Sequence, residues 1–343
     1  MPDLRRVLVF AKRTSYDRYI RQQGVPRVKE LLARGDVTVA RMMRADEHHH
    51  RTVEEVQRAL EAVGAKTTLR YRDRLESFDS YDLVVTVGGD GTLLWASHGV
   101  GDTPMLGVNS APQDSVGFLC GTRMGEVLPH IEAIAKGTAP RVKLARMQVC
   151  VDGEVVHRRV LNDVLFANPH PAHTTRYLVS FRGMLEEQKS SGIWVSTGAG
   201  STAAIRSAGG RLLSLRSRLL QFVVREPYTP DGVPYALSRG LVHPGERLEI
   251  LNKMRECRLY VDGPRLSLPV ELGQRVTFST SDEPLTVMGV STRAVSERQR
   301  HTTVDGDEVS DAGDDARPSG PGSGPGSGPG PGPGSRRAPL PSR

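Results

Sequence analysis

Asp82-Leu-Val-Val-Thr-Val-Gly-Gly-Asp-Gly-Thr92 is the stretch on which the fold turns. Residues 82–87 are apolar on both faces of a strand, as in the middle of a parallel sheet. Gly88 and Gly89 break the run, and a helical stretch follows from Leu93 to about His98. Glycines between a buried strand and a helix let backbone N–H groups approach phosphate oxygens, and the helix dipole adds to the attraction. Asp90 would then stand at the carboxyl end of the strand, where α/β proteins bind ligands. A carboxylate repels phosphate, so its use there is as a base toward a hydroxyl or as a group near Mg2+. The plainer alternative is a tight turn with Asp90 as the helix N-cap.

Working outward, Val7 to Phe10 is a short apolar run fit for a buried strand, and Tyr16 to about Leu32 is helical with a break near Gly24-Val25-Pro26. Thr52 and Glu55 form a capping-box pattern, Val53, Val56, Leu60 and Val63 recur at helical spacing, and Gly64 can end that helix. On this reading His48, His49 and His50 lie in a polar loop before it. Met105 to Val108 is another strand. Helix alternating with strand predicts an open, mostly parallel α/β domain over residues 1–142. After Pro140 the pattern changes. Residues 147–156 read as a hairpin around Asp152-Gly153. Short strands follow at 176–181, 193–196, 247–251, 258–261, 275–279 and 285–290, with one helix at about 202–207. Residues 143–295 therefore form a β-rich domain. The tail, 296–343, contains a run of Pro, Gly and Ser only (318–335) and reads as disordered.

The chain has 343 residues, and its 36 Gly and 23 Pro are close to ordinary usage once that run is set aside. A collagen, a coiled coil and a disulfide-stapled mini-protein are excluded. The net charge of +7 is modest and rests on scattered Arg, and only 5% of residues are aromatic, so nucleotide phosphate is favoured over nucleic acid as the anionic partner. Three unclustered cysteines (Cys120, Cys150, Cys257) suit a reducing compartment. No apolar run approaches the length of a membrane span, so the expectation is a soluble, cytoplasmic protein without a membrane partner.

No Walker-type phosphate loop is present. Gly198-Ala-Gly-Ser-Thr-Ala203 matches the relaxed dinucleotide fingerprint and, taken alone, suggests a Rossmann-type oxidoreductase, although it lies in the β-rich half. Asn162-Asp163, at the start of a strand, could accept hydrogen bonds from a ribose diol, or could form an Asx turn. Consecutive histidines cannot easily point at one ion, so no metal site is assigned. No G-x-S-x-G elbow supports hydrolase chemistry.

Together these motifs resemble the NAD kinase family over roughly residues 40–290. The matches are Val84 to Thr92, Gly107-Val-Asn109 followed by Gly117-Phe-Leu119, Asn162-Asp163, Ser196 to Ala203, and Val261-Asp-Gly263. Ser191-Gly192, Ala204 and Gln221 to Pro227 are similar to the plant-type NADH kinase branch. The resemblance implies an α/β domain and a sandwich-like β domain with the site between them, and phosphorylation by ATP of the adenosine-ribose 2′-hydroxyl of NAD+ or NADH. It implies Asp90 as catalytic base, with Gly88, Gly89, Gly91 and Thr92 at the ATP phosphates. Asp90, Gly91, Asn162, Asp163, Ser191, Thr202, Ala203 and Ser207 would meet the dinucleotide. Mg2+ would arrive with ATP rather than in a protein cage, and the chain would be a homo-oligomer, a dimer. Ser191 and Ala204 depart from the Asp and Tyr that typical members carry, which bears on NAD+ against NADH. Lys189 stands where a basic residue is usual and could meet a phosphate or remain solvated. A lipid or sugar kinase sharing the Gly-Gly-Asp-Gly element, and a non-catalytic NAD-binding regulator, stay open as further readings.

Overall fold

The apolar run at 7–10 becomes β1 (Arg6–Ala11), buried along nearly its whole length. It is the first strand of a computed structural model that describes residues 4–71, 76–113 and 116–290. A π-helical turn (Asp17–Gln22) and α1 (Pro26–Ala33) follow, with the expected break between them. Then come α2 (Met42–Ala62), β2 (Lys66–Tyr71), β3 (Leu83–Gly88), α3 (Asp90–Ser97), β4 (Met105–Asn109), the short β5 (Thr122–Arg123), α4 (Val127–Ala135) and β6 (Arg141–Leu144).

Helix α2 begins well before Thr52, and this corrects the capping-box reading. Thr52 lies in the helix interior, where its hydroxyl donates to the His48 carbonyl at 2.6 Å, the back-bonding that a mid-helix Thr adopts. Glu55 accepts instead from the N–H groups of Gly125 and Val127 at the opening of α4. The three histidines are therefore helical. At the other end Gly64, at φ +79°, takes the left-handed conformation that stops α2.

The second half contains β7 (Met147–Val151), β8 (Glu154–Val160), β9 (Asp163–Ala167), β10 (Thr175–Phe181), β11 (Met184–Ser190), β12 (Ile193–Ser196), α5 (Ala204–Ser207), β13 (Leu220–Val224), β14 (Arg239–Val242), β15 (Leu248–Asn252), β16 (Cys257–Val261), β17 (Leu266–Val270) and β18 (Arg275–Thr280). Two antiparallel six-stranded sheets result, in the orders β11-β10-β15-β18-β7-β8 and β14-β13-β12-β9-β16-β17. Alternation along β10 buries Tyr177, Val179 and Phe181. They join Phe166, Phe222 and Phe278 in one apolar core drawn from both sheets, which makes the pair a sandwich. The β7–β8 hairpin turns at Asp152 (φ +50°) and Gly153 (φ +88°), as two-residue hairpin loops require.

The chain then returns. β19 (Leu285–Met288), expected among the strands of the second half, pairs in parallel with β4 and antiparallel with β6. The first sheet therefore reads β2-β1-β3-β4-β19-β6, with β5 beside β4, and every pairing but the last is parallel. Helices α2 and α4 cover one face through Val53, Val56, Leu60, Val127 and Ile131. The other face packs on α3, whose Leu93, Leu94 and Ala96 also meet Leu161, Ala199 and Leu215 of the second half. Helix α3 is thus enclosed between the parallel sheet and the sandwich. The tail expected to be disordered, 296–343, lies outside the described residues.

Candidate active site

The first cluster of functional residues is built where β3 runs into α3. Gly89 caps the helix through its backbone alone, and Asp90 is the first helical residue rather than the cap. A Cβ on Gly88 would overlap the Thr92 side chain, so that glycine is required by the turn itself. Gly91 is exposed, and a Cβ there would meet nothing in the protein. The half-buried Asp90 carboxylate turns to the loop after β4, where the N–H groups of Phe118 and Leu119 each donate to one oxygen at 2.8 Å. Gly117 (φ +62°) lets that loop lie on the Asn109 side chain, and the Ser110 N–H holds the Gly88 carbonyl at 2.9 Å. His49 of α2 is fully buried, with Nδ1 3.1 Å from the Ser110 hydroxyl. Burial, aided by the charge of Lys12, holds its imidazole at about 4, so it is neutral at physiological pH.

The second cluster gathers three motifs that are distant in sequence. The Asp262 carboxylate accepts the N–H groups of Leu161 (2.9 Å), Asn162 (2.7 Å) and Asp163 (3.0 Å). Thr197 donates its N–H to the Asn162 carbonyl at 2.9 Å and its hydroxyl to Leu161 O. Gly200 lies so close to Asn162 that a Cβ would overlap the Asn162 backbone. Asn162 Oδ1 is buried without a hydrogen-bond partner. Asp163 is 5% exposed, and burial beside Asp262 pushes its carboxyl up to about 7. Burial raises Asp262 as well, while its three backbone donors favour the charged form. The two clusters are joined by α3, about 12 Å long. Asp90 opens it, and His98, just past its end, reaches Asp262 with Nε2 3.4 Å from Oδ2.

Thr202 and Ala203 are half-buried on the 3-10 turn Ala199–Thr202 and the residue after it, and the exposed Ser207 closes α5. Gly200 ties this turn to Asn162, so these residues share the second cluster. Ser191 does not. Its N–H donates to the Arg225 carbonyl at 2.9 Å, and it precedes β12, at the end opposite to Thr197. Lys189 stacks on Tyr228, Nζ lying 4.3 Å from the ring centroid. The Gly198–Ala203 fingerprint follows β12, which is antiparallel to both its neighbours, and leads into a four-residue helix. The parallel βαβ unit that a Rossmann site needs is not built there.

Among the described residues one acidic and histidine cluster has metal-ligand proximity. Asp17, Asp46 and His50 bring their ligand atoms within 4.8 Å of one another. The helical placement of His50, one turn after Asp46, creates it. Arg21 already lies inside, bonded to Asp17 and 2.9 Å from Asp46 Oδ2, so a guanidinium supplies the positive charge. His49, His98 and the role of Asp262 escaped sequence reasoning. Asp262-Gly263 reads locally as a hairpin turn, which it also is, with φ of +47° and +106°.

A family model for the ATP-NAD kinase N-terminal domain matches residues 16–138. The chain is 32% identical over 240 residues to a protein of Oryza sativa subsp. japonica named probable NADH kinase, covering 64% of this chain and 74% of that one. It is 33% identical over 227 residues to the NADH kinase of Arabidopsis thaliana, with 60% and 71% covered. An NAD kinase of Methanoregula boonei is 33% identical over 203 residues, with 58% and 70% covered. In fold, the chain is similar to an NAD kinase from Archaeoglobus fulgidus solved in complex with ATP, with a TM-score of 0.61 at 17% identity over 86% of this chain and 97% of that one.

Proposed function

The chain belongs to the NAD kinase family, and on that premise we propose that it transfers the terminal phosphoryl group of ATP to the adenosine-ribose 2′-hydroxyl of NAD+ or NADH, giving NADP+ or NADPH. One observation supports this reading above others. Asp90 is held by two backbone N–H groups at the opening of α3, beside the exposed and sterically open Gly91. An alcohol is a poor nucleophile, and a carboxylate fixed in place can take its proton as the new P–O bond forms.

Residues 1–142 then supply the base and the phosphate loop, and residues 143–295 the dinucleotide site. Gly88 and Thr92 shape the turn, and at Gly91, where a Cβ would meet nothing in the protein, a phosphate oxygen can approach the backbone at the opening of α3. The unpartnered Asn162 Oδ1 suits a dinucleotide donor, either an exocyclic amine or a ribose hydroxyl. Asp163 keeps its proton near neutral pH and can donate a hydrogen bond where an ionised carboxylate could only accept. Thr202, Ala203 and Ser207 line the same pocket. Ser191, at the far end of β12, reaches the dinucleotide only along its extended length or from a second copy of the chain, in keeping with a homo-oligomer, a dimer. Mg2+ enters bound to ATP and neutralises charge on the transferred group. Among the described residues no helix is long and apolar enough to cross a membrane, and a cytoplasmic location fits the free thiols of Cys120, Cys150 and Cys257.

The test is to incubate the purified chain with Mg-ATP and either dinucleotide and assay NADP(H). Asp90→Asn should lower kcat by about 10²–10⁴ with the fold intact. Turnover near that of the parent would remove Asp90 from the role of base.

A further inference from the structure

A second concentration of positive charge lies away from both clusters. Strand β6 and the segments 216–218 and 281–284 enclose a cleft of about 560 Å3. Arg141, Lys143, Arg216 and Arg218 line it, and Asp282 is the only acid among its lining residues. All four cations are exposed, and none of them pairs with a carboxylate among the described residues. Arg141 and Lys143 project from the same face of β6, about 6.8 Å apart along the strand. Like charges held this closely raise each other's energy, and an anion relieves the strain.

The walls are fixed. Arg146 is fully buried and donates to the carbonyls of Glu283 (2.7 Å) and Pro284 (3.3 Å), and also to those of Ser97, Val100 and Gly101. The Thr280 hydroxyl holds the Arg218 carbonyl at 3.1 Å. Lys143 and Arg141 are set in register with Thr286 and Met288 of β19. The cleft is also separate from the phosphate loop. β6 is the edge strand, with β19 and β4 between it and β3, about 14 Å away. Residues 281–284 lead into the amino end of β19, whereas Gly88 to Thr92 follow the carboxyl end of β3.

We propose that this cleft is a second anion site that binds a chain of linked phosphates, either inorganic polyphosphate or the triphosphate tail of a nucleotide. Four cations against one carboxylate exceed what a single small anion needs, and guanidinium forks match phosphate oxygens in pairs. No aromatic side chain lines the cleft, so the base stacking on which single-stranded nucleic acid depends has no platform there.

The test is titration calorimetry of the full-length chain with sodium tripolyphosphate at physiological ionic strength. It is run beside a variant carrying Arg141→Gln, Lys143→Gln, Arg216→Gln and Arg218→Gln. The exposed positions should leave the kinase kcat unchanged and the thermal midpoint unchanged or raised, since the repulsion among the four is removed, which keeps this result apart from that of the proposed activity. Tripolyphosphate affinity should fall at least tenfold in the variant, with sulfate at matched ionic strength unable to compete. The same pair titrated with ATP identifies the source, because a parallel loss points to nucleotide tails and a loss confined to tripolyphosphate points to the inorganic chain. Equal tripolyphosphate affinity in parent and variant would overturn the proposal. So would displacement by sulfate, or a single-stranded oligonucleotide that binds more tightly through the same four residues.

Discussion

Asp163→Asn tests the electrostatics of the buried site. In the folded chain, burial and the neighbouring Asp262 raise the Asp163 carboxyl from 3.8 to about 7. A raised carboxyl binds its proton more tightly folded than unfolded. Its stabilising contribution is therefore complete below pH 3.8 and is lost as pH rises through about 7. At full ionisation the shift corresponds to about 4 kcal/mol, of which about 2–3 kcal/mol is lost between pH 5 and pH 8. Asn keeps the shape of Asp and cannot ionise. The unfolding free energy of the variant, relative to the parent, should therefore rise by about 2–3 kcal/mol from pH 5 to pH 8. Urea denaturation at four pH values measures it, with unchanged m values as the check on two-state behaviour. The offset at pH 5 contains any lost hydrogen bond, so the change with pH is the quantity to read. A difference constant to within about 0.5 kcal/mol across the range would refute the raised carboxyl.

Further outcomes follow from other parts of the molecule. His49 is held at about 4, so its contribution to stability is present above pH 6.5 and is lost as pH falls through about 4. In His49→Gln, urea unfolding between pH 6.5 and 4.5 should show an acid loss smaller by about 2 kcal/mol. Gly200→Ala forces a Cβ into the Asn162 backbone and should cost about 1–3 kcal/mol in thermal or urea unfolding while raising the dinucleotide KM at least tenfold. Arg146→Met removes a donor from five carbonyls, of which Ser97 O keeps the Val100 N–H, and should cost about 3 kcal/mol or more by the same assay. Ser191 and Ala204 stand where typical family members carry an acid and an aromatic ring, groups that favour the cationic nicotinamide of NAD+. NADH should therefore be used at least as well as NAD+, and a kcat/KM ratio of ten or more in favour of NAD+, about 1.4 kcal/mol, would contradict this.

Signals carried by neighbouring residues were legible in the sequence. The strand, glycine turn and helix at 82–98, the hairpin at Asp152-Gly153 and the short strand at 176–181 each depend on local pattern, and each appears in the structure. Failures arose where a local pattern had a distant partner. Thr52 and Glu55 have the spacing of a cap, but Glu55 serves the opening of α4, and the helix continues through the histidines. Leu285 to Met288 has the composition of any short strand, and nothing in it tells which sheet it will join. The same holds for the site. Asp90 was visible from its glycines, whereas the hold of Phe118 and Leu119 on it spans 28 and 29 residues. The grip of Asp262 on residues 161–163 spans about a hundred, beyond any pattern of periodicity.

The return of β19 sets an order on how the protein can be made. The described residues belong to one compact unit, and β4 obtains β19 as a neighbour only from residues 285–288, near the end of the described chain. A nascent chain that has just released β6 from the ribosome has its first sheet open at β4, with Met105 and Leu106 lacking the partners that later cover them. The sandwich must emerge before that edge closes. Until then the half-made sheet offers an unpaired apolar strand to other chains, the condition under which strands aggregate. A release of residues 1–142 alone would make that exposure permanent, so the phosphate loop cannot be separated from the sandwich by cutting the chain at the point where its sequence pattern changes.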